Sequence, residues 1–177
     1  MYKTEAIITK VENFKENHLS ISVYSSEYGQ KSLVVFGGKS KKKNSLYVKG
    51  SLNNIEFDNN NVCLSSTSIN TFKWFLFSKY ELKTIDYFCF LINKLLFLTD
   101  QNSNVVSYYL LLISKLNERS NYLPELLLLE LEILKASGYQ PDLNESVLKK
   151  IFNFHEKSNL KTYELIYEHL KDNKDHQ

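Results

Sequence analysis

Over the first 70 or so residues, apolar positions recur at every second place or in short runs broken by glycine and polar clusters. Glu5–Val11 is rich in β-branched residues. Leu19–Tyr24 alternates, with Leu19, Ile21 and Val23 on one face and Ser20, Ser22 and Tyr24 on the other, the period of a half-buried strand. Ser25–Gln30, containing Gly29, predicts a turn. Lys31–Phe36 predicts a third strand, too apolar for alternation to show which face is buried. Gly37-Gly38 ends it, and a lysine-rich loop follows. Weaker strands are expected near Ser45–Lys49 and Ile55–Phe57, a turn at Asp58–Asn61 and a further strand at Val62–Ser65. Short strands at this spacing predict a small barrel or sandwich.

From about Phe72 the period changes to that of a helix. Leu82–Thr99 carries Ile85, Phe88, Cys89, Ile92, Leu95 and Leu96 at helical spacing, and after the polar stretch Asp100–Asn104 the pattern returns over Val105–Leu116. Pro124 suits a first helical turn, and Glu125–Ser137 runs to Gly138, a good C-terminal stop. Asp142 and Glu145 have capping-box spacing, and a last helix is expected over about Leu160–Lys171. The pattern therefore predicts an α+β chain in two parts, strands in residues 1–70 and helices in residues 71–177. Such repeated apolar stripes are ordinarily core-packing faces.

Charge divides along the same line. Residues 1–77 hold ten Lys and six acids, a balance of +4, and residues 78–177 hold twelve Lys or Arg and fourteen acids, a balance of −2. A basic front and a mildly acidic back suggest different partners. Heavy use of Asn, Lys, Ile, Leu, Tyr and Phe with little Gly, Pro and Trp looks like the codon bias of an AT-rich genome, so raw Lys counts carry little weight. Cys63 and Cys89 sit in apolar settings, 26 residues apart, and read as buried free thiols in a reducing compartment. Met1-Tyr2-Lys3-Thr4-Glu5 is not an apolar signal region, and no run approaches eighteen uncharged apolar residues. These features lead to the expectation of a soluble cytoplasmic protein.

Gly38-Lys39-Ser40 after an apolar strand invites a phosphate-binding-loop reading, but Leu33 stands where that motif needs its first glycine, and Lys41-Lys42-Lys43-Asn44 is a poor helix opening. His18, His155, His169 and His176 lie in different segments, and there is no CxxC pair, so neither a metal nor another cofactor is expected. No arrangement of nucleophile and base is visible, and the expectation is a protein that is not an enzyme. What remains is electrostatic. Lys39, Lys41, Lys42 and Lys43 place four cations on five residues, as a phosphate backbone requires, although a solvated loop in a Lys-rich proteome looks the same. Tyr24, on the polar side of its strand, either stacks a base or closes a barrel end.

Two stretches resemble a known family. Thr4-Glu5-Ala6-Ile7-Ile8-Thr9-Lys10, Glu16-Asn17-His18-Leu19-Ser20-Ile21, Glu27-Tyr28-Gly29-Gln30 and Phe36-Gly37-Gly38-Lys39-Ser40-Lys41 together resemble the opening of RecO-type repair proteins. Glu130-Leu131-Glu132-Ile133-Leu134-Lys135-Ala136-Ser137-Gly138-Tyr139-Gln140-Pro141-Asp142-Leu143 resembles a second segment of the same family, in the right order and at a plausible distance. The resemblance implies an N-terminal OB-type barrel followed by a helical domain. It also implies binding and annealing of single-stranded DNA, cooperation with RecR in loading RecA, and docking to the tail of single-strand-binding protein. On it, Lys39, Lys41, Lys42 and Lys43 are expected to bind DNA. The chain departs from the pattern in being short, in having lysines where the family tends to have arginines, and in lacking a zinc module, since Asn144-Glu145-Ser146 stands where its first cysteines would begin. Two other readings stay open: a non-enzymatic adaptor whose OB domain does not bind nucleic acid, and an OB-fold RNA binder.

Overall fold

The computed structural model describes residues 1–69, 77–96 and 104–138. Five strands, β1 (Tyr2–Phe14), β2 (His18–Ser25), β3 (Gly29–Val35), β4 (Leu52–Phe57) and β5 (Cys63–Ser68), form one antiparallel sheet in the order β3-β2-β1-β4-β5. A four-residue helix, α1 (Lys41–Asn44), lies between β3 and β4. Three longer helices follow the sheet: α2 (Lys79–Leu95), α3 (Val105–Glu118) and α4 (Leu123–Ala136). The chain is α+β, with an OB-like sheet ahead of helices. The sheet is not closed. Its edge strands approach through an isolated parallel bridge between Val34 and Val62, where the Val34 N–H donates to the Asn61 carbonyl at 2.9 Å.

β1 is long because it serves two neighbours. Tyr2–Ile7 pairs with β4, and Ile7–Phe14 pairs with β2. A register shift between Ile8 and Lys10 makes Thr9 an extra residue. The bulge has a packing consequence. Ile8 is buried in the sheet's interior cluster and Val11 packs against that cluster. Three residues apart in a regular strand they would face opposite sides, so the added residue restores Val11 to the inner face. Thr9 is left on the outer face, buried.

Two cores result. Ala6, Ile8, Leu19, Ile21, Val23 and Leu33 are among the residues that fill the concave interior of the sheet. Ile7, Tyr24 and Leu52 point the other way and join the helical core with Phe88, Ile92 and Tyr109. Polar bonds fix this cover in register. The Asn93 side-chain oxygen accepts from Thr9 Oγ1 and Gln30 Nε2, each at 2.8 Å, and its nitrogen donates to the Thr9 carbonyl at 3.1 Å. Tyr109 donates its buried hydroxyl to the Gly50 carbonyl at 2.6 Å. Cys63 and Cys89 are buried and unpaired. Burial pushes the Cys89 thiol up to about 12, so it stays neutral.

The helices begin and end where local chemistry directs. Ser78 and Glu81 form a reciprocal capping box at the start of α2. Pro124 sits in the first turn of α4, and Gly138 beyond its end takes φ +81°, as the C-terminal reading required. Among the described residues, no helix is long and apolar enough to cross a membrane.

Several expectations change. Ser45–Lys49 is not a strand. The one-turn helix before it, with the Leu46 and Tyr47 N–H groups bonded to the Lys43 and Asn44 carbonyls, takes up the backbone groups a ladder would need. The lysine-rich loop is in part that helix. β3 stops at Val35 rather than Phe36. The capping pair Asp142 and Glu145, the helix expected over Leu160–Lys171 and the stretch Tyr139–Leu143 lie outside the described residues.

Candidate nucleic-acid interface

The chain leaves β3 through Phe36–Ser40 and enters α1. Gly37 takes φ +65°, which glycine adopts without strain. Gly38 is needed for a different reason. A Cβ there would stand 2.9 Å from Leu19 Cγ and 3.1 Å from Val35 Cγ1, both in the packed interior. Gly38→Ala is therefore expected to lower stability by about 1–3 kcal/mol through overpacking, measured as a drop in urea midpoint with an unchanged slope. A midpoint equal to wild type would show that the Leu19 side chain can move aside freely.

This turn docks on the β1–β2 turn. The Lys39 N–H donates to the Asn17 carbonyl at 3.4 Å, and Lys39 Nζ donates to the Lys15 carbonyl at 2.8 Å. Lys43 Nζ donates to the Phe36 carbonyl at 3.1 Å. Each of these ammonium groups keeps two further N–H donors. Lys41, Lys42 and Lys43 are exposed, and Lys39 is half-buried. Lys15, exposed in the β1–β2 turn beside the acid Glu16, brings a fifth cation to the same end of the sheet. Among the described residues, none of these five lysines has a carboxylate partner within salt-bridge distance. A phosphate-loop arrangement is absent here, because the Gly38 and Ser40 N–H groups are already donated to the Val35 and Gly37 carbonyls. The four lysines expected from the sequence are thus brought together on one turn.

Tyr24 is not part of this surface, and neither sequence reading of it describes its place. Its ring is fully buried in the helical core, at the far end of β2 from the lysine turn. The alternation correctly put it on the face opposite Val23, but that face is covered by the helices there. A ring with no exposed area cannot stack on a base unless the core opens.

Exposed aromatics lie elsewhere. Phe14 pairs with His18 across β1 and β2, and the Leu19–Val35 pairing places His18 beside Phe36. The His18 and Phe36 rings meet edge to face at 4.9 Å and 88°. Phe36 is 53% exposed and Phe14 38% exposed. Lys15 Nζ stands 5.5 Å from the Phe14 ring centre. His18 Nδ1 accepts the Gly37 N–H at 3.1 Å, which in the neutral ring assigns the proton to Nε2. The sequence signal for this row was slight: Phe14 and Phe36 are the last apolar residues before a turn, and His18 is the first after one.

The opposite end of the sheet carries a second aromatic group, Tyr2, Tyr28 and Phe57, with ring centres 5.2–5.6 Å apart. A hydrogen bond with Glu27 is the main cause that raises the Tyr28 hydroxyl, and Glu56 is held below the usual carboxylate range first by Ser65 and then by Lys3. Among the described residues, no group of three His, Cys, Asp or Glu side chains is placed to hold a metal ion.

Residues 1–72 match the family model for the N-terminal domain of recombination protein O. No curated protein gives a significant match to the chain.

Proposed function

We propose that this chain, whose first 72 residues match the N-terminal domain of recombination protein O, is a RecO-type protein that binds single-stranded DNA through the Lys39–Lys43 turn and acts as a mediator of recombinational repair. The observation that carries the reading is the turn itself: a run of lysines without carboxylate partners among the described residues, tied by two ammonium–carbonyl bonds to one end of an OB-like sheet. Such a turn neutralises phosphates and releases their counterions without reading bases. In this reading the protein is not an enzyme and works in the cytoplasm. It promotes strand annealing and RecA loading with RecR, and its helical half docks the acidic, hydrophobic tail of single-strand-binding protein. Lys135 is a described cation on α4, while Lys149 and Lys150 lie outside the described residues.

The test is a titration of fluorescent oligonucleotides of one sequence, as single-stranded DNA, duplex DNA and RNA, at about 50 and 200 mM salt. Single-stranded DNA is expected to bind more tightly than duplex and to weaken steeply between the two salts. Tighter binding of RNA would favour the RNA-binder reading. No binding of any of the three at 50 mM salt would leave the adaptor reading in its place.

A further inference from the structure

We propose that Phe36, with His18 and Phe14 in the same cross-strand row, forms a stacking platform for the bases of single-stranded DNA whose phosphates the neighbouring lysines neutralise. The inference rests on the DNA-binding reading above and adds to it the groups that hold the bases.

A lone exposed phenylalanine needs no explanation, since much of any protein surface is apolar. This row is different in three ways. It is a row: Phe14 and His18 are register partners, and His18 and Phe36 touch at 4.9 Å, so one outer-face strip crosses β1, β2 and the end of β3. It is held. The Gly37 N–H bonds His18 Nδ1, and Lys43 Nζ bonds the Phe36 carbonyl, so the atoms flanking the Phe36 ring are fixed before any ligand arrives. Finally, cations stand beside it: Lys15 Nζ lies 5.5 Å from the Phe14 ring centre and Lys43 Nζ reaches the Phe36 carbonyl, with Lys39, Lys41 and Lys42 on the same turn as Lys43, which suits an anionic polymer with flat apolar bases.

The second aromatic group supplies an internal control. Tyr2, Tyr28 and Phe57 are also clustered and Tyr2 is 39% exposed, but Glu27 hydrogen-bonds Tyr28 there, and the nearby cation Lys3 is ion-paired with Glu56 at 3.4 Å. At the lysine end the exposed rings stand beside cations that have no carboxylate partner among the described residues. Base stacking on aromatic side chains tolerates any sequence, because every base has a π face, and truncating such a ring costs about 5- to 150-fold in affinity per base.

The experiment compares wild type with Phe36→Ala and Phe36→Trp on two fluorescein-labelled probes of equal length, oligothymidylate and a fully abasic deoxyribose-phosphate strand. Wild type is expected to prefer oligothymidylate by about tenfold or more. Phe36→Ala is expected to lose most of that preference while keeping its affinity for the abasic strand and its salt slope. Phe36→Trp is expected to keep the preference. Phe36 is half exposed, so far-ultraviolet circular dichroism should show both variants folded. A Phe36→Ala protein that keeps the full preference overturns the platform and leaves the lysine turn's role standing. Wild type that binds both probes equally overturns it as well. Wild type that binds neither removes the platform and the DNA-binding reading together.

Discussion

Replacing Lys39, Lys41, Lys42 and Lys43 together by Ala is expected to weaken single-stranded-DNA binding by about two orders of magnitude at 0.1 M salt. Each lysine that neutralises a phosphate contributes about 0.7 to the salt slope on single strands, so four lost contacts flatten the slope by up to roughly 3. The structure divides the four. Lys41 and Lys42 are exposed, so their double replacement should reduce the slope with little change in stability. Lys39 and Lys43 each also donate to a backbone carbonyl, so removing them loosens the turn as well. Those bonds are exposed and water replaces them, so the quadruple variant should remain folded. Sequence preference should barely change, because lysines on phosphates read no bases. Arginine at the same positions should retain or improve binding through its planar fork. Fluorescence anisotropy at four or more salt concentrations measures all of this. Unchanged affinity together with an unchanged slope would mean that the turn is merely solvated, and the adaptor reading would then lead.

The sequence carried the fold class and the lysine turn, for an identifiable reason in each case. Leu19, Ile21 and Val23 alternate because the outer face of β2 between them is only half covered, so polarity and burial coincide. The four lysines are consecutive enough that any local conformation keeps them together. What stayed hidden depends on contacts between distant residues. Tyr24 reads as an outward residue, which it is, but α2 begins more than 50 residues later and nothing near Tyr24 announces that a helical core will cover it. The Phe14–His18–Phe36 row is assembled by register, and register follows from the Thr9 bulge and the turn lengths rather than from composition. The helix at Lys41–Asn44 is too short for periodicity to reveal. The capping box of Ser78 and Glu81 at the start of α2 was likewise not anticipated, although its spacing lies just ahead of the apolar pattern that marks that helix.

An isolated fragment of residues 1–72 is expected to be much less stable than the same residues in the whole chain, although the family match ends there. The sheet's interior cluster would survive the cut, since its members come from β1 to β5 and the segment between β3 and β4. The outer face would not. Ile7, Tyr24 and Leu52 are 0–1% exposed, and they belong to the core that α2, α3 and α4 complete. Fully burying one such side chain stabilises by about 1.5–3 kcal/mol, and part of that cover comes from sheet neighbours, so losing the helices should remove about 3–6 kcal/mol. The polar ties weigh less. Thr9 and Gln30 lose Asn93, and Gly50 loses Tyr109, but water takes those bonds in the fragment. A domain of this size holds only about 4–11 kcal/mol in total, so the apolar loss is most of it. The fragment should therefore bind a hydrophobic dye, unfold at a far lower urea concentration, and expose Cys63, 7% exposed in the whole chain, to rapid thiol labelling. Replacing Ile7, Tyr24 and Leu52 by Thr in the fragment should reduce dye binding, since the face those residues form would then suit water. A fragment that resists labelling at Cys63 as well as the full chain does, and unfolds at the same urea midpoint, would show that the sheet stands without its helical cover.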